Sequence, residues 1–344
     1  MEPFRYELRA ATREDQGALL ELAGFLDSVN LPNDPVEVGR IVEKSEQSFR
    51  GLIDDPRRRE YVFVLRDLND GKAVGTSLIV SQLGRRDAPY IFLQVRQEER
   101  YSATLDRHFV HDVLSVGYSY DGPTEIGGLV MHPGYRRAPE KLGMMISYVR
   151  FLWITAHRPE FQNHVLAELL PPLEPDGTSH LWEAVGRRFT GMSYREADRL
   201  SKRNKEFIRG LFPDGDIYAS LLSEQAQAVL GEVGPKTRGV EKLLRRIGFR
   251  YVQRVDPFDG GPHFVAPTDD ITLVQRSARR TLLAAEPDPH AKRALVAWTG
   301  DAAPYFRAIA VPASPDGDGL RVGSRCLRVL GVSEGARLWT LPLG

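Results

Sequence analysis

Apolar positions in the N-terminal third of the chain follow two periods. Short apolar or alternating runs at 6–9, 61–65, 73–82 and 90–95 predict strands, and Asn69-Asp70-Gly71 joins the middle two as an antiparallel pair. Behind Thr12, an N-cap residue type with Asp15 in the first turn, Leu19, Leu20, Leu22, Phe25 and Leu26 form a helical stripe. A second helix is expected over 34–49.

The pattern then becomes more informative. Residues 124–131 read as a strand interrupted by Gly127-Gly128, and 132–137 as a turn carrying Arg136 and Arg137. The helix expected from Pro139 to about residue 157 is apolar over most of its circumference, which predicts burial. A strand over 165–170 ends at Pro171-Pro172, and helical pieces broken by Gly and Pro follow to about 236. The helix 240–247 has Gly248 at its C-terminal cap, and 249–255 is a strand. Beyond 268 short β-rich pieces alternate with Gly, Pro and Asp turns. The expected fold class is α/β (α+β): a mostly antiparallel sheet flanked by helices over 1–284, with a helical insertion at about 171–236, and a small β module at 285–344.

Composition narrows the function classes. Of 344 residues 42% are hydrophobic and 27% charged, ordinary for a folded soluble chain. Lys plus Arg and Asp plus Glu are 46 each, so there is no basic excess to favour nucleic acid. Cys326 is the single cysteine, which excludes an internal disulfide framework and a cysteine-rich metal cage. The first six residues lack a signal-peptide core, and the apolar stretch 142–154 is short and contains Arg150. The expectation is a cytoplasmic protein without membrane contact.

The basic turn offers chemistry. A helix start presents unpaired N–H groups and partial positive charge, and Arg136, Arg137 and Lys141 surround this one. It reads either as a phosphate or pyrophosphate site or as a solvated basic turn. Gly127-Gly128 reads either as a packing bend or as a bulge whose freed N–H groups stabilise a developing oxyanion.

Taken together, Glu125-Ile126, Leu129, Val130-Met131, Pro133 and Tyr135-Arg136-Arg137, followed by a buried helix and a strand, resemble the acetyl-coenzyme A binding core of GNAT-type acyltransferases over 124–170. The helix and strand of 240–255 look like the end of that fold. The usual glycine-rich loop is reduced to Arg137-Ala138-Pro139-Glu140-Lys141-Leu142-Gly143, which keeps only the last glycine. The resemblance implies coenzyme contacts at Leu129, Val130, Arg136, Arg137, Lys141, Leu142 and Gly143.

Longer strings narrow the family. Leu181-Trp182-Glu183-Ala184-Val185-Gly186-Arg187-Arg188-Phe189, Met192-Ser193-Tyr194, Ile217-Tyr218, Leu222-Ser223-Glu224-Gln225-Ala226-Gln227, Gly248-Phe249-Arg250-Tyr251 and Phe258-Asp259-Gly260-Gly261-Pro262 are similar to arginine N-succinyltransferases. The likeness is clear from about 120 to 280. It implies transfer of a succinyl group from succinyl-CoA, a substrate rather than a resident cofactor, to the α-amine of arginine in arginine catabolism. It also implies a homo-oligomer or a hetero-oligomer with a related subunit; no metal is implied. A related amine or acyl donor, or a non-catalytic partner subunit, are the alternatives.

The chain departs from that family where its members carry a proton-donating histidine in a Val-His-Pro triplet, because here the triplet is Val233-Gly234-Pro235. Glu125, on the strand expected to flank the thioester, is the first replacement and His263 the second; each also reads as an ordinary structural residue. His132 and Tyr120 rank below them, His132 as an exposed turn residue and Tyr120 as a buried aromatic. Asp259 with Gly260 and Gly261 reads either as a plain turn or as a holder of the substrate's guanidinium or ammonium. Trp182 and Phe189 are expected in the core.

Overall fold

The expected hairpin forms as strands Glu60–Asp67 and Ala73–Val80. In this computed structural model residues 4–26, 30–85, 88–174, 176–201 and 204–344 are described. The segments 1–81, 126–161 and 268–344 make one unit, and 82–125 with 162–267 make the other.

In the first unit, Thr12 and Asp15 close a capping box, with the Thr12 N–H donating to Asp15 Oδ2 at 2.8 Å, and helix Gln16–Ala23 follows. Asp34 accepts from the N–H groups of Val36 and Glu37 and starts helix Pro35–Phe49. Strand Tyr6–Ala10 pairs antiparallel with Glu60–Asp67 on one side and Phe306–Pro312 on the other. Arg293–Thr299 lies between Phe306–Pro312 and Arg337–Pro342. Residues 285–344, the span expected as a module of its own, therefore share the sheet of the N-terminal strand. A run of alternating residues shows that a strand forms, not which edge it joins.

Helix Leu142–Ala156 is buried from Met145 to Ile154 and packs on this sheet, where the Ser77 hydroxyl donates to Ile146 O at 2.7 Å. Its Trp153 joins Phe49, Tyr61, Phe63 and Phe306 in a mostly edge-to-face cluster with centroids 4.8–6.4 Å apart, Phe49 and Phe306 being stacked. Burial of one such ring is worth about 1.5–3 kcal/mol, so this cluster is a main anchor of the unit. The helix starts at Leu142 rather than Pro139. Lys141 adopts φ 56°, a left-handed conformation that breaks helical continuity, and its N–H closes a turn onto Ala138 O.

In the second unit strands Tyr90–Ser102 and Arg107–Ser119 form a long hairpin. Tyr90–Ser102 also pairs with Arg250–Val255, which pairs with Pro262–Pro267, which pairs with His164–Glu168, all antiparallel. The start of strand Thr124–Met131 lies parallel to His164–Glu168. The outer half of the hairpin is exposed and carries Arg96, Glu98, Glu99 and Arg100, which is why its apolar signal stops near residue 95. Trp182 is fully buried, stacked on Phe258 at 5.0 Å among Leu93, Leu114, Val185, Ile208 and Phe212. Phe189, expected beside it in the core, is 44% exposed. Its short helix Arg187–Thr190 turns that face outward. Among the described residues no helix is long and apolar enough to cross a membrane.

Candidate active site

Strand register in the second unit assembles a set of ionisable groups. His263 lies opposite Glu168, and Glu125 lies beside Leu166 on the parallel neighbour. The segment between strands Arg250–Val255 and Pro262–Pro267 adds two more carboxylates. Its Asp256 N–H donates to Gly261 O and Gly260 N–H to Asp256 O, both at 2.9 Å. Asp256 Oδ1 accepts from Phe258 N–H at 2.7 Å and Asp259 N–H at 3.2 Å, and Asp259 Oδ1 accepts from Gly261 N–H at 2.7 Å. Gly260 needs φ +83°, and a Cβ on Gly261 would stand 2.3 Å from Leu169 O, so both glycines are required by the backbone.

Glu168, Asp256 and His263 bring one polar side-chain atom each within 4.8 Å of the others. The fully buried His263 ring meets the Tyr90 hydroxyl at 2.6 Å through Nδ1, and its Nε2 stands 3.4 Å from Glu168 Oε1. Burial lowers His263 to about 3, helped by the positive charges of Lys205 and Arg254, so the ring is neutral. Burial raises Glu168 well above the usual carboxylate range, reinforced by the charges of Glu125, Asp256 and Asp259 and opposed by Lys205. Asp259 is raised by burial and by Asp256. Asp256 is also raised by burial, while Lys205 and its two backbone donors favour its anion. Several buried acids crowded in this way favour a positively charged guest.

Two residues expected to carry the proton, Glu125 and His263, thus lie within this set, as does Asp259. Glu168, Asp256 and Tyr90 did not stand out in the sequence. The one local signal was an acid closing the apolar strand that precedes Leu169-Leu170-Pro171-Pro172. Asp259 spends one oxygen on its own turn. Tyr120, expected to be buried, is 41% exposed and accepts from Arg209, because its strand end faces solvent. His132 is part-buried, accepts from Gly134 N–H and packs edge-on against Phe25 and Tyr135.

The residues expected to meet the coenzyme follow along the first unit. Gly128 takes φ +55°, a left-handed break inside the strand, and a Cβ on Gly127 would stand 2.1 Å from Asn30 Nδ2. Leu129 is half-buried and Val130 buried. Arg136 is exposed and its Nε donates to Met131 O at 3.1 Å; Arg137 and Lys141 are exposed. Leu142 is buried in the core and Gly143 half-buried, so at the helix start the backbone rather than the Leu142 side chain is left to meet an anion.

Gly234 is held by its own N–H donating to Leu170 O at 2.9 Å, with the Thr237 hydroxyl bonding the same oxygen at 3.0 Å. A Cβ at this position would stand 2.6 Å from Pro171 O and 2.8 Å from Leu170 O. The backbone itself fills the space that a side chain would need.

Residues 6–273 match the family model described as "Arginine N-succinyltransferase beta subunit". The chain is 33% identical to an arginine N-succinyltransferase of Yersinia pestis, over 96% of this chain and 95% of that one. It is 30% identical to another from Citrobacter koseri, over 96% of both. It also superimposes on subunit AI of arginine/ornithine succinyltransferase from Pseudomonas aeruginosa with a TM-score of 0.83 and 26% identity, covering 99% of each chain. With a family match over residues 6–273 and 33% identity along nearly its whole length, the chain belongs to the arginine N-succinyltransferase family.

Proposed function

We propose that this acyltransferase moves a succinyl group from succinyl-CoA to the α-amine of arginine, in the cytoplasm and as part of arginine catabolism. The observation that carries the reading is the match along nearly the whole chain to arginine N-succinyltransferases. The crowd of acids supports it, because arginine is a cation and the mutual repulsion of Glu125, Glu168, Asp256 and Asp259 favours a positively charged guest.

In this reading the pyrophosphate of the coenzyme lies on the start of helix Leu142–Ala156, with Arg136, Arg137 and Lys141 supplying positive charge and Leu129, Val130, Leu142 and Gly143 supplying backbone. The amine, once neutral, attacks the thioester carbonyl. The C–N bond forms, the C–S bond breaks, and the thiolate leaves as coenzyme A after taking a proton. Glu125 and His263 belong to the group that handles protons, and the turn of Asp259, Gly260 and Gly261 helps hold the substrate. The family's description as a subunit supports an oligomer with a copy or a related chain.

The test is thiol release from succinyl-CoA by the purified chain with arginine. Ornithine belongs in the same assay, since the Pseudomonas relative carries both amines in its description. The departure at Gly234 favours a second reading, a non-catalytic partner subunit. Turnover by the single chain removes that reading; turnover that needs a related subunit and is unchanged when Glu168 and His263 of this chain are replaced establishes it.

A further inference from the structure

The acid–histidine group has an order to it that follows from hydrogen-bond chemistry. Burial keeps the Tyr90 phenol protonated, and the positive charge of Arg254 draws the lone pairs of that oxygen, which leaves the O–H to point at His263. The Tyr90 O–H is then the donor to His263 Nδ1 across 2.6 Å. A neutral imidazole has one N–H, so it sits on Nε2. That N–H is fully buried, has no hydrogen-bond partner among the described residues, and stands 3.4 Å from Glu168 Oε1. A buried donor left unsatisfied makes a short bond to a Glu168 anion favourable.

The two nearby acids differ. Asp256 has two backbone N–H donors that hold its carboxyl in place and oppose the upward push of burial. Among the described residues no backbone N–H donates to the Glu168 side chain, which is 30% exposed whereas His263 is 0% exposed. Within this set Glu168 can meet an incoming amine, and His263 can act only through it.

We propose that Glu168 is the group that takes the proton from the substrate's α-ammonium, with Asp256 beside it as a fixed negative charge and His263 and Tyr90 behind it as positioning residues. The proposal rests on the acyl-transfer reading above. The ammonium docks between the two carboxylates and gives one proton to a Glu168 oxygen, while Nε2–H of His263 holds Oε1. The neutral nitrogen attacks the thioester, and as C–S breaks a second N–H proton goes to the thiolate. Glu168 returns its proton to solvent, so one proton is released for each amide formed. Glu168 is the catalytic residue here.

The groups facing Glu168 and His263 set its working range: Glu125, Asp256 and Asp259 favour the protonated acid, and Lys205 favours the anion. Lys205 and Arg254 keep His263 neutral. The reaction therefore accelerates as pH rises through the ionisation of Glu168.

The experiment is a pH–rate profile of thiol release with arginine. Glu168→Gln keeps the shape of the side chain and removes a charge that Glu125, Asp256 and Asp259 disfavour, so its melting temperature should equal or exceed that of wild type. Its kcat should fall by roughly 10²–10⁴-fold with little change in the KM for succinyl-CoA, and the rising limb should disappear. His263→Phe should keep the limb and move its midpoint to higher pH, and Tyr90→Phe should move it less in the same direction. A merely structural role would lower turnover without moving the midpoint. A Glu168→Gln profile like that of wild type overturns the proposal and leaves acyl transfer standing. Loss of wild-type turnover on adding EDTA also overturns it, because a metal ion would then occupy the acids. A wild type that releases no thiol with either amine, alone or with a related subunit, overturns both readings.

Discussion

Restoring the family histidine at position 234 should damage the protein rather than improve it. The Cβ of any residue there would stand 2.6 Å from Pro171 O, whereas ordinary contact begins near 3.4 Å, so the two backbones must separate by about 0.8 Å. They are tied together by Gly234 N–H to Leu170 O at 2.9 Å and by the Thr237 hydroxyl to the same oxygen. Overpacking of this kind costs about 1–3 kcal/mol, and a lost hydrogen bond adds about 0.5–1.5 kcal/mol. A total of about 2–4 kcal/mol is expected for Gly234→His.

Gly234→Ala separates the two contributions, since it carries the offending Cβ and no ring. Most of the cost should already be present in it. At about 2–4 °C per kcal/mol for a unit of 150–250 residues, both variants should melt roughly 5–15 °C below wild type in a thermal scan followed by circular dichroism. Thiol release by Gly234→His should not exceed that of wild type, because the proposed proton path runs through Glu168. A Gly234→His protein that melts with wild type and turns over faster would refute both the steric argument and the alternative proton path.

Three further outcomes are expected. Replacing Arg136 and Arg137 together by Ala should weaken succinyl-CoA binding at least tenfold by calorimetry, on the order of 1.4 kcal/mol, with little change in melting temperature. Trp182→Ala removes a fully buried ring that stacks on Phe258 and donates to Met192 O at 2.9 Å, and should cost about 3–5 kcal/mol in denaturant unfolding. His263 titrates near its ordinary value when unfolded and is lowered to about 3 when folded, so the native state binds fewer protons between those values and loses stability as pH falls through that window. His263→Phe should flatten that acid limb of stability, measured by unfolding at a series of pH values.

What the sequence made legible was local. The apolar run 142–154 gave the buried helix, the Asn69-Asp70-Gly71 turn gave the hairpin, and the Phe258 to Pro262 string gave a tight turn whose glycines the backbone requires. What it hid was register. Glu168 looks like an ordinary acid at a strand end until the strand is paired, and only the pairing sets it opposite His263 and beside the strand that carries Glu125. The hairpin beyond residue 95 was hidden for another reason: polar side chains on its exposed faces leave no alternation to read.

The missing histidine shows how the two kinds of information combine. From the sequence, Gly234 is the loss of a titratable group and leaves open whether activity is lost with it. From the structure, the position is closed by the carbonyls of Leu170 and Pro171, which directly follow the strand ending at Glu168. A side chain cannot return there without moving that strand end. An imidazole present instead at 263 is already buried, neutral and aimed at Glu168. Under the proposal, proton transfer from the amine passes through a carboxylate that an imidazole positions, and Glu168 both faces His263 at 3.4 Å and reaches solvent.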